Sequence, residues 1–205
     1  MENQRSNQSN SWLYPRLRYN RVRNVRPLTR ANEGDAGLDF YVPRDLTLSE
    51  INAKNPKSDL TIGLNPVNSR ITKITLAPHS RILIPSGIRV LIEPRNSMLQ
   101  ANNKSGVSTK KGLIFTAQVV DSPYTGEIHI GVVNTSDSPV DILADEKLIQ
   151  FIHVPIFLTE PEEIQEILYE SEAEIWGTRG DKGFGSSDNS YKDEYEDELA
   201  IRQFN

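Results

Sequence analysis

Apolar positions from Ala77 onward come in short runs separated by turn residues. Arg81 to Pro85 and Gly87 to Glu93 are rich in β-branched and aliphatic side chains, and Pro85-Ser86-Gly87 divides them. Glu127 to Asn134 and Lys147 to Val154 repeat the texture, with a turn at Thr135 to Pro139 between them. Branched side chains suit a pleated surface, and Gly, Pro, Asn and Asp punctuate it. The pattern therefore predicts many short strands in an all-β barrel or sandwich. One helix is expected near the end: Pro161 stands close to its start, and Ile164, Ile167, Leu168 and Ile175 make an apolar stripe on a Glu-rich segment.

Three segments break the strand pattern. Residues 1–20 are polar with scattered aromatics, Trp12, Tyr14 and Tyr19. They read as a basic N-terminal extension that packs on its own subunit or a neighbour. Residues 45–73 are polar and read as an inserted surface element, which costs a fold little. Residues 188–205 form an acidic tail of disordered type, so the core domain is expected over 21–187.

A length of 205 residues suits one domain with appended arms. There is no cysteine, which excludes disulfides, thiolate nucleophiles and Cys-based metal sites. No apolar run is long enough to span a membrane and the Asn/Gln/Ser-rich start is not a signal peptide, so a soluble, intracellular, cytoplasmic protein is expected. A net charge of -5 argues against general nucleic-acid binding. The charge is uneven, however: Arg5, Arg16, Arg18, Arg21, Arg23, Arg26 and Arg30 crowd the start, and Asp193, Glu194, Glu196, Asp197 and Glu198 crowd the end.

Candidate chemistry concentrates at 179–187, where Arg179, Gly180, Gly183, Phe184, Gly185, Ser186 and Ser187 form a glycine-rich loop. Bare backbone N–H groups can wrap a phosphate chain, the guanidinium and hydroxyls recognise its oxygens, and the phenyl ring can lie on a heterocyclic base. Asp121 follows two valines that read as a strand end and precedes Ser122-Pro123, so its carboxylate projects from a turn. Such a group can hold a water in line with phosphorus and accept its proton.

Ala36-Gly37-Leu38-Asp39, Pro94-Arg95-Asn96-Ser97, Val119 to Glu127, Glu146 to Gln150 and the glycine loop follow one another in that order. Together they closely resemble the five motifs of the homotrimeric dUTPases, over roughly Arg23 to Ser187. The resemblance implies a jelly-roll-like β-barrel with one short helix, a homotrimer, and a C-terminal arm that reaches a neighbouring subunit. It also implies a Mg²⁺-dependent diphosphatase that converts dUTP to dUMP and pyrophosphate by water attack on the α-phosphorus. In that reading Asp121 is the general base. Tyr124 packs under the deoxyribose and leaves no room for a 2′-hydroxyl. Residues 112–120 and 127–134 form the arms of a uracil-binding hairpin. Asp39 holds a water of the Mg²⁺ shell, and Arg95 and Gln150 face the phosphate chain. Residues 179–187 form a lid.

Several positions depart from the family pattern. Asn96 stands where Ser is usual, so either Asn96 or Ser97 has to make that phosphate contact. A longer run follows, through Lys104-Ser105-Gly106 to Lys110-Lys111-Gly112, of which Lys111-Gly112 fits the spacing to Asp121. Asp145 and Asp188 occupy usual glycine positions. His79, His129 and His153 are isolated, so neither a metal cluster nor a Ser-His-Asp triad is supported. Two other functions compete: dCTP deaminase, which shares the fold, and a nucleotide-switched regulatory module that binds a protein partner through the 45–73 insert.

Overall fold

The computed structural model describes residues 15–163. The chain divides into two compact units, 1–158 and 159–205, and of the second only residues 159–163 fall within the described part. The first unit is all-β in character, with eleven strands and two short helices among the described residues. In chain order these are β1 (Arg16–Arg21), β2 (Leu38–Tyr41), α1 (Leu48–Lys54), β3 (Leu60–Leu64), β4 (Ile71–Leu76), β5 (Arg81–Glu93), β6 (Ser97–Asn102), α2 (Ser105–Lys111), β7 (Leu113–Thr116), β8 (Val119–Asp121), β9 (Glu127–Asn134), β10 (Val140–Leu143) and β11 (Lys147–Pro155).

They form three sheets with strand orders β1-β5-β9-β7, β10-β4-β3 and β2-β11-β6-β8, and every strand pair is antiparallel. Alternation places one face of each strand inward. On β6, Ser97, Leu99 and Ala101 are buried while Met98, Gln100 and Asn102 are half-buried on the other face. The inward faces share one core that includes Phe40, Phe151, Ile74, Ile84, Leu99, Leu113 and Val132. Phe40 and Phe151 pack with ring centroids 4.4 Å apart across β2 and β11.

The expected break at Pro85-Ser86-Gly87 does not end a strand. β5 runs through it as a bulge, with Pro85 opposite His129 and Arg89 opposite Glu127. Neither helix follows an apolar periodicity long enough to read in sequence. α1 is fixed by a capping box, Thr47 with Glu50, and by burial of Ile51. α2 buries only Val107 and ends at Gly112, whose φ of 67° suits glycine. Residues 45–73 thus supply α1, β3 and the start of β4, anchored in the core by Leu46, Ile51 and Ile71. The helix expected over Ile164 to Ile175 lies outside the described residues, and Pro161, Glu162 and Glu163 carry no helix.

Candidate active site

Asp39 and Gln150 are Cα partners across β2 and β11, and Asn102 continues the same row on β6. The Asp39 N–H donates to Thr29 O at 2.8 Å, which ties the preceding loop to β2. Gly37 is required here: a Cβ at that position would stand 2.3 Å from Gln150 Oε1. The Gln150 amide donates to Asn103 O at 3.1 Å. Two ammonium groups close on the buried Asp39 carboxylate. Lys104 Nζ donates to Oδ1 at 2.5 Å, and Lys147 Nζ lies 2.7 Å from Oδ2, off the hydrogen-bonding direction. Burial alone would raise the Asp39 pKa; the Lys104 hydrogen bond and the close positive charges of Lys104 and Lys147 outweigh it and hold the carboxyl below its usual range. The close Asp39 carboxylate in turn raises Lys147. The cluster therefore keeps two cations and one anion, with the Gln150 amide beside them. That is a donor set suited to phosphate oxygens.

A second group of residues sits elsewhere on the same sheet. Asp121 ends β8 opposite Met98 of β6, exposed, and its carboxylate makes no hydrogen bond or ion pair among the described residues. Its carbonyl accepts the Tyr124 N–H at 3.0 Å, closing the turn that carries Ser122 and Pro123. The buried Ser122 hydroxyl donates to Arg95 O at 2.7 Å, so the 94–97 segment supports this turn. The Tyr124 hydroxyl donates to Glu127 O at 2.8 Å and its ring folds over Gly126, where a Cβ would come within 2.4 Å of the phenol oxygen.

The two groups share the half-buried face of one sheet, because positions 98, 100 and 102 of β6 all point to it. From the Asp121 row to the Gln150 row is a step of four residues along β6, about 13 Å at a strand rise of ~3.3 Å per residue. Arg95, Asn96 and Ser97 belong to the Asp121 end. Arg95 is exposed, and Ser97 is 2% exposed with its hydroxyl committed to Pro94 O at 2.5 Å and His153 Nε2 at 2.8 Å. The Ser97 hydroxyl gives its one proton to Pro94 O, so its bond with His153 Nε2 needs the ring nitrogen as donor, and the pair is no nucleophile–base couple; burial lowers the His153 pKa. The cationic neighbours of Gln150 are Lys104 and Lys147, which sequence reasoning did not select. The signal was present: Lys104-Ser105-Gly106 sets a cation and a hydroxyl beside a small residue, nearer to Asp121 than Arg95 stands.

The expected hairpin is only partly formed. β7 pairs with β9 from Leu113 opposite Asn134 to Thr116 opposite Gly131, and then Ala117 turns at φ 56° and β8 crosses to β6. The chain thus parts from β9 after Thr116. Lys111 is held by Glu146 and by Asp141 O. Asp145 adopts φ 68°, which explains why glycine is usual there. Arg179, Gly183, Phe184, Gly185, Ser186 and Ser187 lie outside the described residues. No group of three or more His, Asp or Glu side chains able to hold a metal exists among the described residues, and no helix among them is long and apolar enough to cross a membrane.

A family model described as dUTPase matches residues 69–188, more than half of the chain. A deoxyuridine 5′-triphosphate nucleotidohydrolase of Finegoldia magna is 37% identical over 130 residues, 61% of this chain and 85% of that protein. One from Clostridium novyi is 27% identical over 160 residues, 77% and 87% of the two chains. In three dimensions the Staphylococcus bacteriophage 80alpha dUTPase with dUpNHpp matches at a TM-score of 0.62 and 21% identity, covering 84% of this chain and 98% of that one. The native EIAV dUTPase matches at 0.52 and 21% identity, covering 74% and 100%. This chain belongs to the dUTPase family.

Proposed function

We propose that the protein hydrolyses dUTP to dUMP and pyrophosphate by in-line attack of water on the α-phosphorus. Family membership supports the reaction, and one observation carries the assignment of roles: Asp121 is an exposed carboxylate without a partner among the described residues, beside a Tyr124 whose ring is fixed by its own hydroxyl. Asp121 holds the attacking water and takes its proton, and Tyr124 supports the deoxyribose and excludes a 2′-hydroxyl. Phosphate oxygens go to Lys104, Lys147 and Gln150, with Arg95 and Asn96 closer to the base and its water.

The residues present fit a Mg²⁺ ion held through water. Oδ2 of the buried Asp39 accepts no hydrogen bond, and Mg²⁺ takes most of its shell from water and substrate phosphates. When bound, the ion neutralises charge on the triphosphate. The nearby ammonium groups argue against direct ligation by Asp39.

A water on Asp121 and phosphates on Gln150 of the same subunit would be too far apart for one substrate's α-phosphoryl group to meet both. The reading is therefore a homotrimer in which Asp121 and Tyr124 of one subunit face Lys104 and Gln150 of another, with the 179–187 loop as lid. Product analysis with each deoxynucleoside triphosphate and Mg²⁺ tests the proposal. dUTP alone should give the monophosphate and pyrophosphate quickly; ammonia from dCTP would move the protein to the deaminase class.

A further inference from the structure

Tyr124 is half exposed, and the contact that fixes its hydroxyl is the main-chain oxygen of Glu127, which also lies 2.9 Å from His129 Nδ1. The orientation of the ring therefore depends on what holds Glu127. The Glu127 side chain points away from solvent, 15% exposed, toward the bulge in β5. There the Gly87 N–H, turned out of the β5–β9 ladder, donates to Glu127 Oε1 at 2.8 Å. Arg23 grips the same carboxylate with Nε at 2.6 Å and Nη2 at 3.2 Å, and its Nη1 reaches Glu50 Oε1 of α1 at 2.7 Å. The approach is possible because residue 87 is glycine at φ +74°: a Cβ there would stand 3.0 Å from Arg23 Cβ. Glu50 is itself fixed by Thr47 N–H at 3.0 Å and the Thr47 hydroxyl at 2.6 Å.

We infer that Arg23 is a positioning residue for the Tyr124 turn, and that through Glu50 it ties that turn to the helix of the 45–73 segment. The physical reason is the fork of the guanidinium. It bridges two carboxylates that would otherwise repel each other, and lysine offers one point charge where three directed donors are used. Without Arg23, the Gly87 N–H is the one partner left to the Glu127 carboxylate among the described residues, the Glu127 backbone loosens, and the ring of Tyr124 loses a fixed seat. The consequence for catalysis rests on Tyr124 being the sugar platform of the proposed function; the structural clamp does not.

Two readouts separate these levels. In Arg23→Met the ratio of kcat/KM for dUTP over UTP should fall about tenfold, through a higher KM for dUTP with kcat within about twofold, as expected for lost positioning of a specificity element. Thr47→Ala, which weakens the α1 cap while leaving Arg23 on Glu127, should lower stability without changing that ratio. Independently of turnover, backbone hydrogen exchange over residues 124–127 should quicken in Arg23→Met and not in Thr47→Ala. If Arg23→Met does not fold, Arg23→Lys, which keeps charge and loses the fork, should show both effects in smaller degree. A folded Arg23 variant with unchanged exchange at 124–127 overturns the clamp. Faster exchange with an unchanged dUTP/UTP ratio overturns the positioning role. A wild-type protein inactive on dUTP condemns the proposed function while leaving the exchange result to judge the clamp.

Discussion

Asp121 and Gln150 stand on the same face of the β2-β11-β6-β8 sheet, separated by the four-residue step of β6 from Met98 to Asn102. That spacing divides the polar groups of this sheet face into one cluster around Asp121 and another around Gln150.

Asp121→Asn keeps the side chain's size and removes its ability to accept a proton. Turnover of dUTP should fall at least about a hundredfold, the scale of a positioned general base, with nucleotide binding largely kept. Single-turnover kinetics beside a titration with a non-hydrolysable analogue would measure both. Normal turnover would take Asp121 out of the mechanism.

Complementation tests the shared site. Asp121→Ala subunits and subunits truncated before Arg179 should each be nearly inactive alone and regain activity when refolded together into mixed trimers. Mixed trimers confirmed by mass spectrometry but still inactive would mean that each subunit serves its own site.

Lys104→Ala and Arg95→Ala decide which cation meets phosphate. Removing Lys104 leaves Asp39 with Lys147 alone, and kcat/KM should drop by about a hundredfold, the effect of losing one transition-state donor. Arg95→Ala should cost less. The opposite order in steady-state assays would return the phosphate role to Arg95.

Acid should weaken the fold through two carboxylates. Desolvation opposes ionisation of Glu50, but hydrogen bonds from Thr47 and Arg23 win and place its pKa at about 2. Arg26, with Arg44, brings Asp145 to about 2. Both folded values lie below the ordinary ones of 4.5 and 3.8, so their stabilisation is full above those values and is lost as pH falls toward 2. Urea midpoints measured from pH 6 to 3 should decline, and Asp145→Asn, which tolerates φ 68°, should flatten part of that decline. An unchanged slope in Asp145→Asn would show that the Arg26 and Arg44 pairs are too solvated to matter.

The strand-rich class was legible because it is a local property: residues 81–93, 127–134 and 147–154 carry branched side chains between turn residues whatever they pair with. The motif order, with Asp121, Tyr124 and Gln150, was legible for the same reason. α1 and α2 were not, since each is held by a cap or a single buried side chain, Ile51 or Val107, and shows no repeating stripe. The partners of Asp39 were hidden too. Lys104 and Lys147 are 65 and 108 positions further along the chain, and only the pairing of β2 with β11 and the start of α2 after β6 bring them to one carboxylate. Sequence by itself determined which chemical groups exist and the period of their strands. Tertiary structure alone decided which of them meet, because register and bulges are set by long-range packing. The Ser86–Gly87 bulge that aims a backbone N–H at Glu127 is a product of that packing.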